Sequence, residues 1–143
     1  MDKQVMLSLL KSKLHKSKSP LPDLNATDWK RLMDKFHCDF SDDFITFMEL
    51  IGQFEFPGEL LYVSGHSENI ISVYDQEISY GRWHSEMIPF FGIGNGDYNC
   101  VNSYEGKHSA IYYVSHTDSS IEVDAQRFEQ WLTDVLEERL VLS

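Results

Sequence analysis

The sequence contains no apolar run near the roughly 18 residues that a membrane-spanning helix needs. Near the start, Val5-Met6-Leu7 and Leu9-Leu10 are shorter than the apolar core of a secretory signal, which is about 7 to 15 residues long. Only two cysteines occur, Cys38 and Cys100, and they form no Cys-x-x-Cys motif. These absences predict a cytoplasmic chain without a membrane span, whose thiols are buried and reduced rather than joined as a disulfide.

Metal-ligand and nucleophile motifs are also missing. The six histidines form no His-x-x-x-His pair, none lies near a cysteine at zinc-site spacing, and no Gly-x-Ser-x-Gly element occurs. Gly92, Gly94 and Gly96 fall one residue short of the Gly-x-Gly-x-x-Gly spacing that binds a dinucleotide, and a strand rather than a helix follows them. We therefore predict no metal and no cofactor, and these motifs name no enzymatic reaction.

One catalytic alternative stays open. His108 and His116 flank one predicted strand, and Asp97, Asp118 and Glu122 lie near turns of the same predicted sheet. Such a set could perform acid–base chemistry in a small hydrolase. Solvated turn residues are the simpler interpretation of the same pattern.

Negative charge dominates the chain, with 23 Asp or Glu against 12 Lys or Arg and a net charge of −11. The basic residues cluster early: residues 1–37 hold eight of them and four acidic residues, so residues 38–143 carry a net charge of −15. An acidic body repels phosphate backbones, which argues against nucleic-acid binding, and it attracts a basic protein. Solubility is the alternative explanation of the same charge.

A length of 143 residues predicts a single domain over 1–143. Residues 1–22 would form an amphipathic helix from Lys3 to about Lys16 and a proline-containing linker, and residues 23–143 the main body. We favour a first helix packed on this body over a basic helix lying on a membrane surface. Capping residues and apolar spacing predict three further helices: from Asn25 or Thr27 to about Cys38, from Ser41 to Gly52, and from Ser67 to Tyr80.

Strand signals prevail in the second half. Leu60–Val63 should form a strand closed by Ser64-Gly65, and the run from Met87 should enter a type I′ turn at Asn95-Gly96, with φ > 0 at both residues. Asp124 should cap a closing helix, with Val123 packed on Phe128. The order predicts an α+β fold, with an antiparallel sheet of about 4–6 strands and helices packed against it. The remaining predicted strands are Asp97–Ser103, Ser109–Ser115 and Ile121–Val123.

Asp97 has the most informative position in the chain, directly after the glycine-rich turn. An aspartate there can accept hydrogen bonds from turn amides and so fix the loop. Contact with a ligand is the alternative.

Three stretches occur in a characteristic order: Ile88-Pro89-Phe90 leading into Gly94-Asn95-Gly96-Asp97-Tyr98-Asn99-Cys100, then Ile111-Tyr112-Tyr113-Val114 with His116-Thr117-Asp118, and finally Phe128-Glu129-Gln130-Trp131-Leu132. Together they resemble the SUKH superfamily, the group of the fungal cell-wall regulator of glucan synthesis and many bacterial proteins. Two positions depart from its pattern: Asn99 replaces an aromatic residue, and Gly52-Gln53 replaces an Asn-Gly turn.

The resemblance implies an α+β domain without catalysis that binds another protein. Many bacterial members resemble immunity proteins that neutralise toxins, often nucleases, and others resemble adaptors in cell-wall synthesis or signalling. We therefore predict an immunity protein with a basic toxin as its partner, a regulatory adaptor being the alternative, and a monomer or weak homo-oligomer. The landmark residues for protein binding or structure are Pro89, Phe90, Gly94, Asn95, Gly96, Asp97, Tyr98 and Asp118.

Overall fold

A computed structural model describes residues 1–64 and 68–142, with side chains described as far as residue 138 in the last helix. The helices of these residues are Lys3–Lys13 (α1), Ala26–Phe36 (α2), Asp42–Ile51 (α3), Ile70–Ser79 (α4) and Phe128–Leu142 (α5). The strands are Glu59–Leu60 (β1), Met87–Gly92 (β2), Tyr98–Asn102 (β3), Ile111–Val114 (β4) and Ile121–Ala125 (β5). None of the described helices is long and apolar enough to cross a membrane.

The strands form one open sheet in the order β1-β2-β3-β4-β5, and every neighbouring pair is antiparallel. Connections of hairpin length between β2, β3, β4 and β5 impose this arrangement, because parallel strands would need long crossovers. The α+β fold and the predicted number of strands are confirmed.

Local capping signals place two helices close to their predicted positions. The Ser41 hydroxyl accepts a hydrogen bond from the Phe44 amide at 3.2 Å at the start of α3. Asn25 and Asp28 form a reciprocal capping box at the start of α2, with both hydrogen bonds at 3.0 Å. Helix α1 is shorter than predicted, because Leu14 already has an extended backbone.

Helix α4 begins at Ile70, where the Asn69 side chain accepts a hydrogen bond from the Ser72 amide at 2.9 Å. The predicted helix start at Ser67 lies outside the described residues, and so does Gly65 of the predicted turn. The preceding strand is shorter than the predicted Leu60–Val63. It pairs with β2 only at Glu59 and Leu60, after which the Leu61 amide donates to the Phe90 carbonyl at 2.9 Å.

One large core lies between the sheet and the helices. Helix α1 contributes Met6 and Leu10, both fully buried, so its apolar face is covered by the protein itself. At the centre, the rings of Phe90 and Trp131 pack edge-to-face with their centroids 4.8 Å apart. The first helix therefore packs on the body and leaves its lysines exposed.

The predicted type I′ turn is wrong. Positive φ occurs at Gly94 (+100°) and Gly96 (+95°), and Asn95 between them does not share it. The Ile93 amide donates to the Asp97 carbonyl at 3.0 Å, which closes a three-residue loop. Asn95 instead stabilises the loop through its side chain, which accepts a hydrogen bond from the Asp97 amide at 3.0 Å.

The predicted helix cap at Asp124 is also wrong. Pairing of Ile111 with Ala125 extends β5 through Asp124, and α5 starts only at Phe128. Val123 is 52% exposed, so it does not pack on Phe128 as predicted. A strand neighbour that lies far away in sequence has overridden the local capping signal.

The two thiols are free. Cys100 is fully buried, as predicted, and burial raises its pKa well above the usual value. Cys38 is only partly buried, which corrects the prediction for this residue.

Candidate functional site

A groove of about 370 Å³ lies between the sheet and α5. We call it the acidic groove, because three of its described lining residues are carboxylates and none of them is Lys, Arg or His. Its lining residues are Ile93, Asn99, Tyr113, Asp124, Ala125, Trp131, Asp134, Val135 and Glu138.

The carboxylates reach the groove from two elements. Asp134 and Glu138 are four residues apart on α5, which puts them on one face of the helix. Asp124 comes from β5, at a shift in strand register. In the described part of the chain, none of the three forms an ion pair. The groove therefore concentrates negative charge that no described cation pairs with.

Asn99 forms the polar floor of the groove and is only 2% exposed. Its carbonyl oxygen accepts a hydrogen bond from the Trp131 indole at 3.0 Å, and its amide group donates to the Asp124 carboxylate at 2.8 Å. These partners satisfy the buried amide, which would otherwise be costly in the core. Asn99 thereby connects the aromatic core to a groove carboxylate and holds Asp124 in place.

A fourth carboxylate, Asp97, lies at the end of the sheet and, unlike the other three, is nearly buried. Asp97 is 6% exposed and accepts hydrogen bonds from the Tyr113 hydroxyl, the His116 imidazole and, at 2.8 Å, the His116 amide. We call Asp97, Tyr113 and His116 the carboxylate clamp. It joins the β2–β3 loop to β4 and to the residues that follow β4.

The hydrogen bonds of the clamp decide the ionisation of Asp97. Burial alone would raise the pKa of this carboxyl, but the donors from Tyr113 and His116 outweigh burial and lower the pKa to about 2. In turn, the hydrogen bond to Asp97 raises the pKa of the Tyr113 hydroxyl. Asp97 is therefore an ionised, fully partnered group near neutral pH.

Gly96 lies against the His116 ring of the carboxylate clamp. Its φ of +95° lies in a region that favours glycine, and a Cβ atom there would lie 3.1 Å from the His116 ring. Gly94 has a similar φ of +100° but open space around the position of its missing Cβ. Gly96 therefore has a packing role as well as a conformational one.

Only some of the histidines and carboxylates considered for acid–base chemistry lie together in the structure. Asp97 contacts His116, but Asp118 is exposed and accepts a hydrogen bond from the Ser120 amide of its own turn at 3.0 Å. Among the described residues, the hydrogen-bond partner of the His116 imidazole is Asp97. The pair joins two loops, and this role accounts for its geometry.

None of the eight landmark residues lines the acidic groove. Pro89 and Phe90 are buried in β2, and Tyr98 packs edge-to-face on Trp83 with ring centroids 5.7 Å apart. Gly94 and Asn95 are exposed at the loop. The clamp connects the landmark Asp97 to the groove, because Tyr113 lines the groove and its hydroxyl donates a hydrogen bond to Asp97.

Sequence reasoning did not single out the groove residues. Asp134 and Glu138 look in the sequence like ordinary solvated positions of a helix, and the predicted role of Asp124 was a helix cap. The departure at Asn99 was a usable signal, because an amide at an aromatic position needs polar partners.

The groove carboxylates are not arranged as a metal centre. Within residues 1–64 and 68–142, no three His, Cys, Asp or Glu side chains are close enough to hold one ion. An extended cation with several donors, such as a guanidinium group, suits dispersed carboxylates better than a single metal ion does.

Comparison with known proteins adds a family assignment. The model of the family described as "SUKH_5: SMI1-KNR4 cell-wall" matches residues 4–137, nearly the whole chain. No curated protein matches the sequence.

Proposed function

Since this chain belongs to the SMI1-KNR4 cell-wall family of SUKH domains, we propose that it is a non-enzymatic protein-binding domain that neutralises a basic partner. Membership in the family confirms the resemblance identified in the sequence. The function itself is our inference from the charge and the groove.

The observation that carries the proposal is the acidic groove. Asp124, Asp134 and Glu138 line one cavity, and none of them has an ion-pair partner among the described residues, in a chain with a net charge of −11. Carboxylates in such a position attract a basic surface over long range and can pair with it after docking. Asp97 already accepts hydrogen bonds from Tyr113 and His116, so it is not available to attract a basic surface or to pair with it.

The partner that fits best is the cognate toxin of an immunity pair, possessing a basic surface such as the cleft of a nuclease. A cleft that holds phosphates presents Lys and Arg side chains, and an acidic protein can occupy it in place of the nucleic acid. Blocking of this kind needs no catalytic group in the inhibitor.

A regulatory adaptor in cell-wall synthesis is the second candidate, favoured by the cell-wall description of the family. An adaptor would bind several partners, and its gene would have no toxin gene as a neighbour. An immunity protein would bind one partner encoded beside it.

The test is capture of partners from the cells of origin, with the tagged protein as bait and partners identified by mass spectrometry. We expect one basic protein, encoded in the adjacent gene, whose recovery falls at least tenfold between 50 and 500 mM NaCl because salt screens the attraction. A bait in which Asp124, Asp134 and Glu138 are replaced by the corresponding amides should recover much less of it. Recovery of acidic partners only, or recovery unaffected by salt, would contradict the proposal.

A further inference from the structure

Strand β5 lies at an open edge of the sheet. It pairs with β4 on one side, and the described residues provide no strand on its other side. An unpaired edge presents backbone N–H and C=O groups to any extended segment that can approach. Residues 122–124 are all exposed, so the described part of the chain leaves this edge accessible.

A β-bulge connects this edge to the acidic groove. Glu122 pairs with Tyr113 and Val123 with Tyr112, but Ala125 pairs with Ile111, so Asp124 is an extra residue in β5. A bulge at a sheet edge interrupts regular pairing and redirects a side chain. Here the regular edge is confined to residues 121–123, and Asp124 is directed into the groove.

The charges on this edge favour a basic segment over a second copy of the chain as the incoming strand. Glu122 and Asp124 are exposed on β5, so pairing with β5 of a second copy would bring like charges together. A basic segment would bring opposite charges together instead. Val123, 52% exposed between the two acids, provides an apolar contact for the incoming strand.

We propose that an extended basic segment of the partner adds to the sheet along residues 121–123 and inserts an arginine side chain into the acidic groove. Addition of a strand to an exposed edge supplies backbone hydrogen bonds, while alternate side chains supply specificity. The guanidinium has five N–H donors, enough to bind carboxylates from both β5 and α5. This inference depends on the proposed function for the basic character of the partner.

The probe is a seven-residue peptide, blocked at both ends, in which arginine alternates with threonine. Alternation puts all the arginines on one side of an extended strand. At 50 mM NaCl we expect hydrogen exchange of the amides in residues 121–125 to slow at least threefold. The same peptide with glutamate in place of arginine should leave exchange unchanged.

Two variants on α5 provide a matched pair with the same change in net charge. Glu138 lines the groove, whereas Glu137 is exposed and outside it. Glu138→Lys should weaken binding of the arginine peptide at least tenfold, and Glu137→Lys should change it no more than threefold. Circular dichroism of both variants checks that the fold is retained.

Absence of slowed exchange at residues 121–125 with saturating arginine peptide would overturn the inference, as would equal weakening by the two variants. Slowed exchange there without peptide, increasing with protein concentration, would assign the edge to a second copy and overturn it as well. If the captured partner binds in a salt-dependent manner but leaves these amides unprotected, the proposed function stands and this inference fails. If the peptide protects them but no basic partner is recovered, the edge binds a basic strand as inferred, and the proposed function fails.

Discussion

The carboxylate clamp and the acidic groove are neighbours in the fold, but their carboxylates have opposite environments. Asp97 is nearly buried and has three hydrogen-bond donors from Tyr113 and His116. Asp134 and Glu138 are exposed, face the same groove and have no ion-pair partner among the described residues. Tyr113 contributes to both places.

The contrast separates a structural charge from a charge available for binding. A buried carboxylate with all its partners inside the protein stabilises the fold and has little left to offer a ligand. Exposed carboxylates without partners contribute little to stability and repel one another, so their free energy falls when a cation arrives. Substitutions in the two places should therefore have opposite consequences for stability and for binding.

The largest effect on stability is expected for Asp97→Ala. Removing the carboxylate leaves the Tyr113 hydroxyl and the His116 amide without their acceptor, at a cost of about 2 to 3 kcal/mol in the free energy of unfolding. Urea denaturation at pH 7 measures it. The control is Asp118→Ala, which removes an exposed carboxylate and should lower the free energy of unfolding much less. Equal losses in the two variants would show that the clamp is no more than a surface contact.

The pH dependence of stability sharpens the same comparison. The pKa of Asp97 is about 2 in the folded protein, below the ordinary value of 3.8, so the folded state binds this proton more weakly than the unfolded state. Its contribution is complete above the ordinary value and is lost as the pH falls from about 4 towards 2. The difference in urea midpoint between wild type and Asp97→Asn should therefore shrink over this interval. A difference that stays constant between pH 5 and pH 2.5 would contradict the assigned pKa.

Alanine substitutions of the two loop glycines, Gly94 and Gly96, should lower stability by different, smaller amounts. Gly96→Ala combines an unfavourable φ with a Cβ placed 3.1 Å from the His116 ring, whereas Gly94→Ala has the unfavourable φ alone. We expect a cost of roughly 1 kcal/mol for Gly94→Ala and about 1 kcal/mol more for Gly96→Ala, measured by thermal unfolding. The His116 ring signals in an NMR spectrum should move in the Gly96 variant only. The reverse order of stability would exclude packing of Gly96 on His116.

The smallest expected effect on the free energy of unfolding is a gain rather than a loss. Asp134→Asn removes one member of a like-charged i, i+4 pair on α5, so it should stabilise the protein by about 0.2 to 0.5 kcal/mol at low salt. The gain should disappear in 0.5 M NaCl, where the repulsion is screened. A loss of stability would mean that Asp134 has a favourable partner.

How much of this could be predicted from the sequence depended on the range of each interaction. Helix α3 was predicted within a residue at each end, because Ser41 and Gly52 act within one helical turn. The role of Asp97 in fixing its loop was also expected, but its donors are 16 and 19 residues away at Tyr113 and His116. No local pattern identifies partners at that distance.

The acidic groove could not be predicted for the same reason. Asp124 and Asn99 are 25 residues apart and meet only because β3, β4 and β5 are adjacent in the sheet. The register shift that makes Asp124 a bulge residue depends on pairing with Ile111, not on the residues beside it. An aspartate shortly before a helix is otherwise a good capping signal, which is why that prediction was made and was wrong.

The central claim is that the unpaired carboxylates, not the clamp, bind the partner. It is tested most directly by isothermal titration of the captured partner into wild type, Glu138→Lys and Glu137→Lys at 100 mM NaCl. We predict at least tenfold weaker binding for Glu138→Lys and at most threefold weaker binding for Glu137→Lys. Unchanged affinity for Glu138→Lys would place the binding surface elsewhere on the protein.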